Sequence, residues 1–444
     1  MRIPQTPPTS DEIFTEVAQR DPAAIVRILR ASRQPQSSYY HWDELRHRTP
    51  PDRISHREWW AGIKQGRETS ARLLEGLQQT DGRPFTHNLA DGVLQQLDLL
   101  TPRLSGQIAM SEQVTNQGTR DSYVVSSLIE EAITSSQLEG AVTTRRVAKE
   151  MLRSGRPPRD HSELMILNNH RAMQFISEHH DQDLTPELVC EIHRIVTEGT
   201  LDDPADAGRL QRPGDDRVSV RTFEDELLHT PPPAEQLPER LERLCTFANR
   251  TEPYLNPILR ATTIHFMVGY DHYFADGNGR TARALFYWSL LHAGYWLAEF
   301  LTISTVIKAR HAQYGRAYLY TETDGGDLTY FHLFHLKVLD AAWRRLDQHL
   351  TRKAEEISQT RHRLRAVPGE FNHRQLELVE HAVADPTETF SAHGHATRHR
   401  VSDETARQDL RDLESRGLLV RRKSGKRYVW VPADALAVRL QDDD

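Results

Sequence analysis

The run HYFADGNGRTAR, His272 to Arg283, holds one imidazole, one carboxylate, two glycines around an asparagine, and two arginines. Gly277 and Gly279 permit positive φ and a close backbone approach to a ligand. A helix starting near Asn278 would leave free backbone N–H groups at its N-terminus. Arg280 and Arg283, three residues apart, share one face of that helix. Together these groups make an anion site suited to a polyphosphate. Asp276 stands beside it with a hard carboxylate, the ligand type that Mg²⁺ takes between phosphates. His272 precedes the site and is placed to accept a proton from an incoming hydroxyl.

Rival readings of this run fail on detail. Gly277–Ala282 matches the G-x-G-x-x-A dinucleotide pattern in form, but the preceding residues, with His265, Tyr270 and His272, read as helix and not as strand. Asp276 and Asn278 resemble the start of a calcium loop, whose closing position would fall on Tyr287 and not on a glutamate. The sequence contains no Walker A motif.

The whole chain sets the frame. It has 444 residues, 38% hydrophobic and 27% charged, which excludes wholesale disorder and favours two to four domains. A net charge of -7 gives no global attraction for nucleic acid, so any basic site must be local. Two cysteines, Cys190 and Cys245, cannot build a disulfide framework or a four-thiolate zinc site. They fall in helical patterns as small core residues, and this usage, with a polar N-terminus, leads to an expectation of a cytoplasmic protein. The apolar stretch Ala284–Ile303 contains His292, Gly294 and Glu299, and reads as buried helices, not a membrane span.

Helices must position the motif. Residues 1–100 read as an irregular helical subdomain, with helical patterns at Ile25–Ala31 and Arg57–Thr80. Ser111–Ser154 is helical in pattern, and helices recur at Glu163–Ile176, Pro186–Thr197, Pro238–Asn249 and Pro257–Tyr270, several opening with proline. Val218, Ser219, Val220, Leu227 and Leu228 form two β-like pieces around FEDE, a small hairpin on a helical body.

Phe334–Leu364 reads as one long connecting helix, stopped at Val367-Pro368-Gly369. Beyond it lie a helix at Arg374–Ala384, a loop, a helix at Ser402–Ser415 and a hairpin turning at Ser424-Gly425. That is the order of a winged helix-turn-helix. Arg407, Arg411, Arg421, Arg422, Lys423, Lys426 and Arg427 make it locally basic, suiting either DNA phosphates or a protein-docking role. His393, His395 and His399 lack thiol or acidic partners in register and read as a solvated loop.

The motif resembles the signature of Fic-domain proteins, H-P-F-x-(D/E)-G-N-G-R-x-x-R, with Tyr273 replacing the usual proline. NPILRATTIH (Asn256–His265) is similar to the family's preceding helix. AGRLQR (Ala207–Arg212) and HTPPP (His229–Pro233) resemble the segments bracketing its target-binding hairpin, the flap. SSQLEG (Ser135–Gly140) looks like its inhibitory motif, and the likeness covers about residues 110–345.

The resemblance implies a mainly α fold, a Fic-type helical bundle with a β-hairpin flap and a C-terminal winged-helix domain. The expected domains are 1–105, 106–345 with an inhibitory helix around 124–140, a connector at 346–370, and 371–435. The implied activity is Mg²⁺-dependent transfer of AMP from ATP to a Tyr, Thr or Ser hydroxyl of a protein, releasing pyrophosphate. His272 would be the base, Asp276 the metal ligand, and Gly277, Asn278, Gly279, Arg280 and Arg283 the phosphate cradle. Phe274 would anchor the loop, and Glu139, beside Ser135, would pair with Arg283 and block the γ-phosphate. The same residues suit removal of AMP, or a nucleotide-sensing transcriptional regulator. Self-modification and a homodimer fit the same reading; a membrane partner does not.

Overall fold

The computed structural model describes residues 3–32, 39–51, 54–106, 117–215, 217, 220–221, 227–366, 371–384, 388–424, 427–433 and 436. Helices dominate, and the described strands form three separate two-stranded antiparallel hairpins. The chain divides into two compact units, residues 1–108 with 126–343, and residues 109–125 with 344–444.

The first unit opens with α1 (Ser10–Arg20), α2 (Pro22–Ser32), α3 (Trp42–Leu45) and α4 (His56–Ser70). Ile13, Ile28, Leu45 and Trp60 close their shared core. A capping box fixes the start of α4: Ser55 Oγ accepts from the Glu58 N–H, and Glu58 accepts from the Ser55 N–H at 2.7 Å. The helical pattern expected through Thr80 stops at Ser70. Arg72–Gln78 is instead β1, paired with β2 (Pro84–His87) in the register Arg72↔His87. The Asp81-Gly82 turn explains the change. Gly82 takes φ +84°, and Leu74 and Leu77 turn inward from the strand. Then come α5 (Asp91–Leu104) and α6 (Gln117–Leu138).

After α6 the helical pattern breaks at residues 139–144 and resumes as α7 (Arg145–Ser154). Next are α8 (His161–His179) and α9 (Pro186–Thr197), each capped by the side chain before it, Asp160 and Thr185. The flap hairpin joins β3 (Val220–Arg221) to β4 (Leu227–His229), pairing Val220 with His229; Val218 and Ser219 lie outside the described residues. The centre of the unit is α10 (Leu237–Asn249) with α11 (Pro257–Asp271) and α12 (Asn278–His292), which pack along each other and are buried over most of their length. The apolar stretch through Ile303 is this buried helix end, a turn at Gly294 (φ +81°), a 3₁₀ turn and the start of α13 (Ile303–Ala309). Among the described residues no helix is long and apolar enough to cross a membrane. α14 (His311–Thr323) and α15 (Thr329–Ala366) follow.

The second unit holds α16 (His373–Ala384), α17 (Ala392–His399), α18 (Asp403–Ser415), β5 (Leu419–Ser424) and β6 (Arg427–Pro432). Val379, Leu410, Leu413, Leu419 and Trp430 form its core. The expected solvated loop with three histidines is helix α17. His395 is buried and bonds Asp409 at 3.1 Å, and Asp409 also takes the Arg374 guanidinium at 2.7 Å. A satisfied carboxylate from α18 thus pulls the histidine inward, a contact no local pattern announces. Arg407, Arg411, Arg421, Arg422 and Lys423 are exposed; Lys426 lies outside the described residues, and Arg427 opens β6.

Candidate active site

The loop between α11 and α12 is fixed from both ends. α11 is capped by His272, whose φ of +50° and N–H bond to the Val268 carbonyl turn the chain out of the helix. α12 is preceded by Gly277 at φ +81°, where a side chain would also collide with Thr197. Between them Asn278, nearly fully buried, folds back on the loop. Its Oδ1 accepts from the Phe274 N–H at 3.0 Å, and its Nδ2 donates to the Phe274 carbonyl at 2.7 Å.

Phe274 is fully buried, with its ring stacked on His193 at 3.7 Å between centroids. His193 Nδ1 accepts from the Gly208 N–H at 2.9 Å, so Nε2 carries the proton and donates to the Asp276 carbonyl at 2.8 Å. Burial lowers the His193 pKa to about 4, which keeps it neutral in this clamp.

Tyr273 makes a second anchor. Its hydroxyl donates to Asp271 Oδ2 at 2.6 Å, and Asp271, fully buried, also pairs with Arg240 at 2.7 Å. Arg217 closes the outer side, donating to the Asp271 and His272 carbonyls, each at 2.8 Å, and to the Pro232 carbonyl at 3.0 Å.

His272 is half-buried, and burial holds its pKa below the ordinary imidazole value. Its Nδ1 faces the Gly269 carbonyl at 3.2 Å. Nδ1 therefore carries the hydrogen, and the Nε2 lone pair is free to take a proton.

Arg283 is 2% exposed, and its guanidinium is held at the end of α6 by Ser135 and by Glu139 just beyond that helix. Nε donates to Ser135 Oγ at 2.8 Å, and Nη2 donates to the Ser135 carbonyl at 3.0 Å and to Glu139 Oε1 at 2.8 Å. Burial alone would lower its pKa, but the Glu139 carboxylate outweighs this and the net shift is upward. The same carboxylate lies against Gly279, where any side chain would strike it. A negative group thus already sits at the N-terminus of α12, the place where a helix favours an anion.

A cavity of about 570 Å³ opens here. His272, Asn278, Gly279 and Arg283 line it with Glu139 and Leu228. Asp276, Gly277 and Arg280 do not. Arg280 is buried and directed at the Val196 carbonyl at 3.2 Å, with a 3.3 Å contact to Asp276. Asp276 stays largely exposed, its side chain at 65%. One exposed carboxylate beside a helix N-terminus fits Mg²⁺ held mainly by phosphates and water. Leu227 is exposed on the flap edge.

The cavity also has a wall that sequence reasoning missed. His229 bonds the Tyr270 carbonyl through Nε2 and Glu322 Oε2 through Nδ1, both at 2.7 Å. Both ring nitrogens face acceptors, so the ring is an imidazolium. Burial opposes the charge, yet its pKa is raised, chiefly by the Glu322 bond. Tyr314 and Tyr318 of α14 complete this side, and Tyr314 meets His265 at 2.9 Å. The run of residues 311, 314, 315, 318 and 322 at helical spacing was the available signal. For His193 the signal was a histidine inside an apolar helix.

Residues 183–290 match the Fic/DOC family. The chain is 25% identical over 228 residues to the protein adenylyltransferase Fic of Nematostella vectensis, covering 50% of this chain and 48% of that protein. It is 30% identical over 151 residues to the protein adenylyltransferase fic-1 of Caenorhabditis elegans, covering 33% of this chain and 27% of that protein. The chain therefore spans about half the length, or less, of these curated relatives. Among solved structures, a Fic family protein from Desulfovibrio desulfuricans G20 superposes with a TM-score of 0.51 at 18% identity, covering 78% of this chain and 97% of that one, which establishes a shared fold. The locked loop at the N-terminus of α12 and these matches agree: the chain carries a Fic domain over residues 183–290.

Proposed function

We propose that the protein transfers AMP from ATP to a hydroxyl side chain of a protein, and that Glu139 restrains the reaction. The observation that carries this reading is the pairing of a free imidazole nitrogen on His272 with an anion site at the α12 N-terminus in one cavity. The names of the adenylyltransferase relatives agree with it. The hydroxyl oxygen attacks the α-phosphorus, the bond from that phosphorus to the bridging oxygen of pyrophosphate breaks, and the hydroxyl proton passes to His272 Nε2. The Gly279 N–H and the Arg283 guanidinium hold phosphate oxygens, while Asn278 keeps the loop in shape. Arg280 serves from behind the cavity wall, through Asp276. Asp276, whose side chain is largely exposed, would be the carboxylate that holds Mg²⁺, and the ion would supply neutralisation of phosphate charge.

The flap aligns the target by strand addition along Val220. A local basic patch of the second unit docks DNA phosphates through Arg407 and Arg411 and through the Arg421–Arg427 hairpin. A second reading, removal of AMP, is favoured by one observation: Glu139 and His272 line the same cavity, so the carboxylate could orient a water.

Incubation with Mg²⁺ and ATP labelled at either the α or the γ position tests the reading. Label from the α position alone should enter protein. Entry of the γ label would show phosphoryl transfer instead. Release of AMP from an AMP-modified protein without any labelling would favour removal.

A further inference from the structure

A second and larger cleft, about 1050 Å³, lies on the other side of α14. The helix divides the two cavities by its faces. Residues 311, 314, 315, 318 and 322 line the Fic cavity, whereas residues 310, 313, 316, 317 and 320 line the second cleft. Its other walls come from the N-terminal helices, the β1–β2 hairpin region and α15.

The charges of this cleft are unusual for the chain. Arg72 of β1, Arg310 just before α14, Arg316 of α14 and Lys337 of α15 line it, and none makes an ion pair or side-chain hydrogen bond to a described residue. Most other arginines of this unit are paired, for example Arg103 with Asp340 and Arg240 with Asp271. At the floor a fifth cation, Arg67, is 7% exposed and donates to Tyr330 Oη at 2.8 Å and to the Tyr40 carbonyl at 3.0 Å. Two carboxylates, Glu44 and Asp91, also line the cleft, and Glu44 accepts the Tyr320 hydroxyl at 3.1 Å. In a chain of net charge -7, such a cluster of unpaired cations marks an anion-binding surface.

We propose that this cleft binds an acidic, extended segment of a partner protein. The tyrosines of the cleft decide between protein and nucleic acid. Tyr320 is stacked on His41 at 4.2 Å, and the Tyr40 and Tyr39 rings lie under Arg48 and Arg67 at 3.7 and 3.6 Å. One face of each of these rings is therefore already occupied, which leaves less ring surface for the base stacking on which single-stranded nucleic acid recognition depends. What the cleft leaves free is the positive charge of Arg72, Arg310, Arg316 and Lys337, in a volume several times that of one side chain, which suits glutamate and aspartate side chains carried on an extended backbone. The proposal stands apart from the transfer reading, because binding is measured without turnover.

The test uses the full chain and a fluorescein-labelled deca-glutamate peptide, followed by anisotropy at low ionic strength. The wild type should bind, and affinity should fall as salt is added. Arg310→Glu with Lys337→Glu should weaken binding at least about tenfold, since two attractions become repulsions. Arg72→Glu, on β1, should weaken it as well. Cooperative thermal unfolding at the wild-type midpoint in every variant shows that each is folded. The proposal is overturned if the wild type does not bind the peptide, or if the variants bind it as well as the wild type does. It is also overturned if a decathymidylate binds more tightly than the peptide and is lost in the same variants, for the cleft would then be a nucleic acid site.

Discussion

Replacing Glu139 by glycine should raise AMP transfer. The carboxylate does two things in the structure: it pairs with Arg283 at 2.8 Å, and it covers Gly279 at the start of α12. Breaking a fully buried pair costs about 3–5 kcal/mol, whereas an exposed one is worth about 0–1. This pair is intermediate, because Arg283 is 3% exposed in its side chain but Glu139 is 29% exposed. Arg283 also keeps both bonds to Ser135. A restraint of about 1–2 kcal/mol follows, and its release should raise the share of molecules able to seat the phosphates by about 5–30-fold. Protein labelling from α-labelled ATP, wild type beside Glu139→Gly, reads that change directly. Thermal unfolding should show the mutant lower by no more than the same energy. A folded mutant that labels no faster than the wild type refutes the argument.

His272→Ala should lower transfer by about 10²–10⁴-fold while equilibrium binding of ATP, followed by calorimetry, stays near wild type. Because burial depresses the His272 pKa, the acid limb of the wild-type rate profile should lie below the ordinary imidazole range; a limb at or above it would remove His272 as the base. His229 has the opposite shift: its folded pKa is raised, so its stabilising contribution is full below the unfolded value and is lost as pH rises through the folded one. Melting temperature should therefore fall across that interval in the wild type and fall less in Glu322→Gln, and identical pH curves would count against the dyad. Tyr273→Phe strands one bond to the buried Asp271 and should cost about 1–3 kcal/mol by denaturant titration. The local basic patch of the second unit should give the full chain a salt-sensitive affinity for mixed-sequence duplex DNA, with a slope of log affinity against log salt of roughly -4 to -5 for four to six contacts; a flat salt response would make it a protein-docking module.

Much of the site was legible because its chemistry is contiguous. Twelve neighbouring residues carry the imidazole, the glycines and both arginines, and the helix starting at Asn278 follows from Gly277 and the periodicity after it. The helices opened by Pro186 and Pro257 were readable from their caps. Long-range partners were not. Nothing near Asp276 in sequence shows that His193 holds its carbonyl, or that Arg280 is turned toward Val196. Local strength also misled: RLLEGLQ has the composition of a helix end, and only its pairing with PFTH makes it a strand. His395 became a core residue for the same reason, through Asp409 of a later helix.

The tyrosine at position 273 changes the kind of constraint that shapes the loop between α11 and α12. A proline restricts its backbone covalently, through a ring that neither heat nor denaturant can open. Here rigidity depends on a phenol meeting a buried carboxylate, which in turn leans on Arg240 of another helix. Loop stiffness is thereby tied to how firmly α10 is seated. The Tyr273 anchor can open locally while the bundle around it remains folded, and the contacts of Phe274 with His193 and Asn278 then hold the loop from its other side.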